Sequence, residues 1–307
     1  IGRNELPWNL RYAVPYRSNT KSLVWFRPSF FEVNGWSRPT TLGQLESLVD
    51  EIATSDTIDP WCFSIFAGSA TGWPATDWVE DLVLRRSGVD IYDEWAAGDL
   101  SWQSDAIRSA FEEFRDLVLT DDHVAGGTRA ILQTEVARTS DPLYADPAGC
   151  AMYTQASYAE DWFPDGTVIG PDGDFDYYVL PGDEPGDPRL VTGGDAAVAF
   201  DDRPDVEALL AFLASPEGGR AWADEGGFIS ERNDVEGEDY FNRTDRLFAD
   251  LLRSNRVARF DASDTLPVEV GSDLLWNRIT QWISGVITLD ELLADIDEAL
   301  GIDAERP

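Results

Sequence analysis

Histidine and cysteine are almost missing from this chain: His123 stands alone, and Cys62 and Cys150 are the only cysteines. A Ser–His–Asp triad could draw only on His123, which lies in the loop-like stretch TDDHVAGG. Two cysteines are too few for a disulfide scaffold or a zinc cluster. Also absent are a phosphate loop ending in Lys and Ser/Thr, a dinucleotide fingerprint, a G-x-S-x-G elbow and an H-E-x-x-H helix. The stretch DGDFD at 172–176 resembles the start of a calcium loop, but Tyr177 stands where glycine is required. No cofactor and no metal is implied. No apolar run approaches the roughly 20 residues that span a bilayer.

Positive charge is scarce as well. Lys and Arg together number 23 against 58 Asp and Glu, for a net charge of −35. Such a surface repels nucleic acid and anionic lipid. The acidic excess is otherwise read as a solubility device. Lys21 is the sole lysine, a bias that codon usage explains as well as chemistry does. The 307 residues, 43% of them hydrophobic, suit one large or two moderate globular domains. The first residue is Ile1, which predicts that an N-terminal segment has been removed.

What the chain has in surplus is aromatic rings: 12 Trp, 9 Tyr and 15 Phe. Two tryptophans bracket a turn in SATGWPATDWVEDLVLRR, residues 69–86, after the apolar run PWCFSIFAG. That run predicts a buried strand ending at Gly68. The aromatic pair then leads into a helix, with Asp77 and Glu80 at capping-box spacing and Pro74 keeping Trp73 extended. Pro28 predicts a helix start after extended pieces around Pro15, and Thr41 caps a run with Leu42, Leu45, Leu48, Val49 and Ile52. Ser104 opens a helix with Ile107, Phe111 and Phe114 on one side, and Ser215 with Pro216 opens another. GCAMYTQA and DFDYYVLPG predict further strands. Gly285 stops a late helix, and Thr288 with Glu291 boxes the last one. Alternating strands and helices predict α/β layers on a mostly parallel sheet, with the ligand crevice beyond the strand ends. Trp73, Gln155 and Tyr158 fall at such ends.

A pyranose has an apolar CH face and a polar hydroxyl rim, so a sugar site needs aromatic platforms ringed by carboxylates and amides. TGWPATDW supplies both within eight residues. The ordered stretches GWPATDWVEDLVLRRSGVDIYDEW, VAGGTRAIL, CAMYTQASY, GGDAAVAF, SPEGGRAWADEGGFI and LDELLADIDEAL resemble the solute-binding proteins of carbohydrate ABC importers. They are most similar to the branch that serves α-glucosides such as maltose, trehalose and sucrose. The resemblance implies a two-lobed α/β clamshell of the periplasmic-binding-protein type (type II), here lacking the N-terminal part of its first lobe. Residues 1–19 would end the N-terminal lobe and make the first hinge crossing, 20–189 would form the C-terminal lobe, 190–260 would return to the N-terminal lobe, and 261–307 would pack helices on the C-terminal lobe.

The same resemblance implies capture of an oligosaccharide for an ABC permease, without catalysis, by an extracellular or periplasmic monomer anchored through a removed lipoprotein signal. Trp73 would be a sugar platform or a staple for its turn, and Asp77 a hydroxyl partner or an N-cap. Trp78 belongs to the core by the repeat of its face at Leu82. Tyr158 would stack, and Gln155 would bond hydroxyls. Gly193, Gly194 and Asp195 fall at the return hinge, where the glycines allow close approach and Asp195 accepts from hydroxyls. Arg232 would donate through its fork or pair with surface acids, and Trp276 matches a family aromatic or fills the core. Cys62 and Cys150 would start two parallel strands of one lobe and, after export, form a disulfide closing a long loop. Two alternatives stay open: a glycoside hydrolase using two of the many carboxylates, and a clamshell holding ferric ion through Tyr177 and Tyr178.

Overall fold

The computed structural model describes residues 13–55, 57–187, 189–254 and 257–303. The first part of the expected hinge segment, residues 1–12, lies outside them. Eight strands, β1 (Ala13–Thr20), β2 (Leu23–Phe26), β3 (Asp59–Cys62), β4 (Cys150–Thr154), β5 (Asp176–Val179), β6 (Leu190–Val198), β7 (Ile229–Ser230) and β8 (Ala258–Phe260), form two sheets. One has the order β7-β1-β6-β8 and the other β3-β4-β2-β5. The result is a two-lobed α/β fold. The chain changes sheet across Lys21 and Ser22, and again between Val179 and Leu190.

A mostly parallel sheet is not what forms. Among these strands β3–β4 and β6–β8 run parallel, while β2 lies antiparallel to both β4 and β5, and β1 is antiparallel to β6 and β7. The cause is the crossing itself. β1 and β2 are joined by two residues, so β2 enters its sheet from the other lobe rather than from a βαβ crossover, which alone enforces parallel neighbours. Pro15 sits inside β1 rather than between two strands, where a register shift before Arg17 accommodates its missing N–H.

LVWF in β2 is buried at every position because both faces of its sheet are covered. Val24 and Phe26 join one core with helices Leu42–Ala53, Trp73–Arg86, Asp105–Val118, Trp276–Ile283 and Leu289–Leu300. Leu23 and Trp25 face a second core containing Phe163, Phe228, Tyr240 and Phe248. The strand expected through residue 67 stops at Cys62. Ser64 is the reason: its hydroxyl bonds the Ile131 and Thr134 carbonyls and accepts from Phe66 N, an alternative to the ladder. Thr41 and Ser215 accept from N3 backbone groups and Thr288 with Glu291 forms a reciprocal box, whereas Ser104 precedes its helix without a capping bond.

Cys62 and Cys150 form a disulfide with Cα atoms 5.4 Å apart, joining neighbouring strands β3 and β4. Cys150 begins its strand as expected, whereas Cys62 ends its own. The bridge closes a separation of 88 residues. Replacing both cysteines by alanine is expected to lower the unfolding free energy by about 4–5 kcal/mol on the chain-entropy argument. A denaturant melt measures this, and an unchanged midpoint would show that the bridge adds nothing.

Candidate functional site

The helix Trp73–Arg86 buries side chains all round, from Pro74 through Arg85. Trp78 fixes its apolar side: it is 2% exposed and meets Trp61 edge-on, ring centroids 5.1 Å apart. The other side carries Asp77, Glu80, Asp81 and Arg85, all buried. Buried charges persist only when paired. Arg85 pairs with Asp81 and donates to the Leu180 and Arg189 carbonyls at 2.8 Å each. Asp81 also accepts from the Ser22 hydroxyl at 2.5 Å.

Asp77 turns to Lys21, in the crossing between the sheets. Lys21 Nζ lies 3.0 Å from Asp77 Oδ1 and 3.8 Å from Asp264 Oδ2, and donates a short hydrogen bond to Asp261. Glu80 lies beside them and accepts from Ala262 N at 2.8 Å, Ser263 N at 3.1 Å and the Tyr92 hydroxyl at 2.9 Å. Four carboxyl groups therefore surround one ammonium. Burial pulls the Lys21 ammonium down, but Asp77, Asp261, Asp264 and Glu80 together outweigh it and hold its pKa well above the ordinary value. Burial pushes the Asp77 carboxyl up to about 8, Lys21 offsetting only part of the rise. Glu80 is raised by burial and then by Asp261. Burial acts on Asp261 too, yet Lys21 and the hydrogen bonds from Glu80 and Ser263 keep it below the usual carboxylate range. Lys21 thus faces one acid held low, Asp261, and two that burial holds high, Asp77 and Glu80.

Above this floor opens a cleft of about 230 Å³. Trp73 and Thr76 come to it from the central helix, Tyr158 from the turn after β4, Asn19 from β1, and Gly193, Gly194 and Asp195 from β6. Asp261, Ser263 and Asp264 follow β8, and Trp276 closes the ring. Trp73, Tyr158 and Trp276 are half-buried, each leaving part of its ring on the cleft. Gly72 sets one wall. At φ 123° it lets the backbone run against Trp276, and an added Cβ would lie 2.7 Å from Trp276 Cα. The widened π-helical turn Glu269–Leu275 immediately precedes Trp276 and orients its helix. Gly193 and Gly194 give β6 its close approach to Lys21 and to the Arg17 carbonyl respectively.

Five of the expected site residues therefore meet: Trp73, Tyr158, Gly194, Asp195 and Trp276. The other three stand differently. Asp77 is beneath the cleft floor and caps no helix, because the helix starts four residues earlier with Trp73 itself helical. Proline in the first turn lacks only an N–H that has no partner there, so Pro74 does not keep Trp73 extended. Gln155 is 4% exposed and supports the wall from behind: its Oε1 accepts from the Tyr158 hydroxyl at 3.2 Å and from Ala156 N at 2.8 Å. Arg232 is turned to Asp234, at 2.6 Å, and to the Ala214 carbonyl, away from the cleft. Tyr177 and Tyr178 do not converge on an ion. Adjacent strand residues face opposite sides, so Tyr178 donates to Met152 Sδ at 3.2 Å while Tyr177 packs on Phe248. Among the described residues no group of three or more His, Cys, Asp or Glu is arranged to hold a metal ion.

Lys21, Asn19, Thr76, Asp261, Ser263 and Asp264 escape a reading of the sequence. One signal pointed to them: a chain that otherwise uses arginine places its single lysine at the crossing between lobes.

A profile of the family described as "Bacterial extracellular solute-binding protein" matches residues 2–220. The alpha-glucosides-binding periplasmic protein AglE of Rhizobium meliloti (strain 1021) is 34% identical over 91% of this chain and 61% of its own length. The osmoprotective compounds-binding protein GgtB of Synechocystis sp. (strain ATCC 27184 / PCC 6803 / Kazusa) is 33% identical over 89% of this chain and 64% of its own. The chain thus spans less than two thirds of the length of these curated relatives. Among solved structures, a chitin oligosaccharide binding protein superposes with a TM-score of 0.76 at 16% identity, over 94% of this chain and 71% of that one.

The proton on Asp77 has a sign that can be checked. Its folded pKa of about 8 lies above the ordinary 3.8, so its contribution to stability is full below about pH 4 and is lost as pH rises through about 8. Asp77→Asn keeps the neutral shape, so the stability of the parent relative to this variant should fall between about pH 4 and 8 and level off above that. Melting curves across that range measure it, and a difference independent of pH would place the proton elsewhere. Lys21→Met should cost about 3–5 kcal/mol, since it leaves buried carboxylates without their partner.

Proposed function

The chain belongs to the bacterial extracellular solute-binding proteins, and on that footing we propose that it captures an α-glucoside of the maltose, trehalose or sucrose type between its lobes. The observation that carries the reading is the cleft itself. Three aromatic rings, Trp73, Tyr158 and Trp276, converge on it beside the carboxylates of Asp195 and Asp264. Flat rings accept the CH faces of a pyranose with little rotamer entropy to lose, and carboxylates accept from its hydroxyls. The naming of AglE for α-glucosides supports the choice of sugar.

The sheet crossings at Lys21–Ser22 and between Val179 and Leu190 support the expected division into lobes, with Thr20 still in β1 at the first crossing. Closure about the segments near Lys21 and Leu190 expels water from the rings, and the sugar shifts the population toward the closed state. The closed monomer then presents the sugar to an ABC permease. No bond is broken. AglE and GgtB are both named as binding proteins, which supports capture over hydrolysis. The disulfide supports an oxidising compartment outside the cytosol.

Titration with maltose, trehalose, sucrose and glucose, followed by tryptophan fluorescence, tests this directly. A saturable change is expected with at least one disaccharide. Trp73→Ala and Trp276→Ala should each weaken binding by about tenfold or more, as loss of a buried aromatic contact does. Silence with all four sugars would contradict the reading, and product from a chromogenic α-glucoside would replace it with hydrolysis.

A further inference from the structure

The cleft is unbalanced in charge and in hydrogen-bonding capacity. Its lining presents the carboxylates of Asp195 and Asp264, whose side chains are 72% and 45% exposed. Asn19 Oδ1, behind the lining, is a buried acceptor with no donor among the described residues. Among the described residues the cations near the cleft already stand beside acids. Lys21 is held by Asp77 and Asp261, with Asp264 a third neighbour, and Arg17 lies 3.8 Å from Asp195. The hydroxyl donors are occupied too: Thr76 donates to the Trp73 carbonyl at 2.8 Å, Ser263 to Asp261 at 2.7 Å and Tyr158 to Gln155 at 3.2 Å. Trp276 Nε1, a buried donor without a partner among the described residues, is neutral.

A ligand entering this space must bring donors and must not bring negative charge. Neutral sugar hydroxyls meet both conditions. A carboxylate or phosphate on the sugar would face Asp195 and Asp264, with the nearby cations already placed beside acids, and like charges so placed are disfavoured. Resting on the glycoside reading above, we infer that the cleft reads charge as well as shape, taking neutral glycosides and refusing uronic acids and sugar phosphates. Asp195 and Asp264 are its specificity-determining residues.

The test compares maltose with the disaccharide whose non-reducing CH2OH is oxidised to a carboxylate, by titration calorimetry on the whole chain at neutral pH. The uronate should bind at least about tenfold more weakly, and the ratio should shrink in about 0.5 M salt. Asp264→Asn and Asp195→Asn should each lower that ratio several-fold, whatever they do to maltose itself. Asp195 is exposed, so its variant keeps the test open should the Asp264 variant fold poorly. Equal binding of the two sugars, or a ratio that neither variant moves, overturns the inference and leaves the glycoside reading standing. Failure of maltose, trehalose and sucrose alike removes that reading, and the inference with it.

Discussion

A single ammonium group, that of Lys21, joins the parts of this molecule that make the cleft. It sits in the two-residue crossing between the sheets, bonds the central helix through Asp77, and gathers the segment after β8 through Asp261 and Asp264. Each of these acids would be costly to bury alone. With four carboxyl groups around one cation, burial holds Asp77 and Glu80 above the ordinary carboxylate range while Lys21 keeps Asp261 below it. The central helix can then run through the interior with a charged side, because Arg85 neutralises Asp81 one turn further on.

The aromatic walls depend on this floor. Trp73 begins the helix that Lys21 holds through Asp77, and the segment Asp261–Asp264 leads into the π-helical turn before Trp276. Gly72 brings the two walls together by letting backbone meet backbone at Trp276. Tyr158 is fixed separately, by Gln155 behind it and Trp162 beside it, ring centroids 5.5 Å apart. Walls fixed in advance lose little freedom on binding, which favours affinity for a small ligand.

Much of this was legible in the sequence, for reasons that can be named. Trp78 repeats the face of Leu82, so its place in the core followed from helical spacing. Trp73, Tyr158 and Trp276 stood out through resemblance to a family, and GGD marked the return crossing. The charged floor was not legible. Asp77 looks like an N-cap in one dimension because TDWVE has capping spacing, while the true start is hidden by a tryptophan before proline. Asp261 and Asp264 are two acids among 58, and nothing local separates a buried carboxylate from a solvated one. Sheet direction was missed for a related reason. Alternation of strands and helices implies parallel pairing only within one lobe, and β2 arrives from the other.

The account stands most directly on where the sugar sits. A crystal structure of the chain grown with an α-disaccharide decides it. The prediction is a ring packed on Trp73 and Trp276, hydroxyls on Asp195 and Asp264, and Lys21 still bonded to Asp77 and Asp261. A sugar bound away from these rings, or Lys21 released from its carboxylates to bond the sugar, would contradict it.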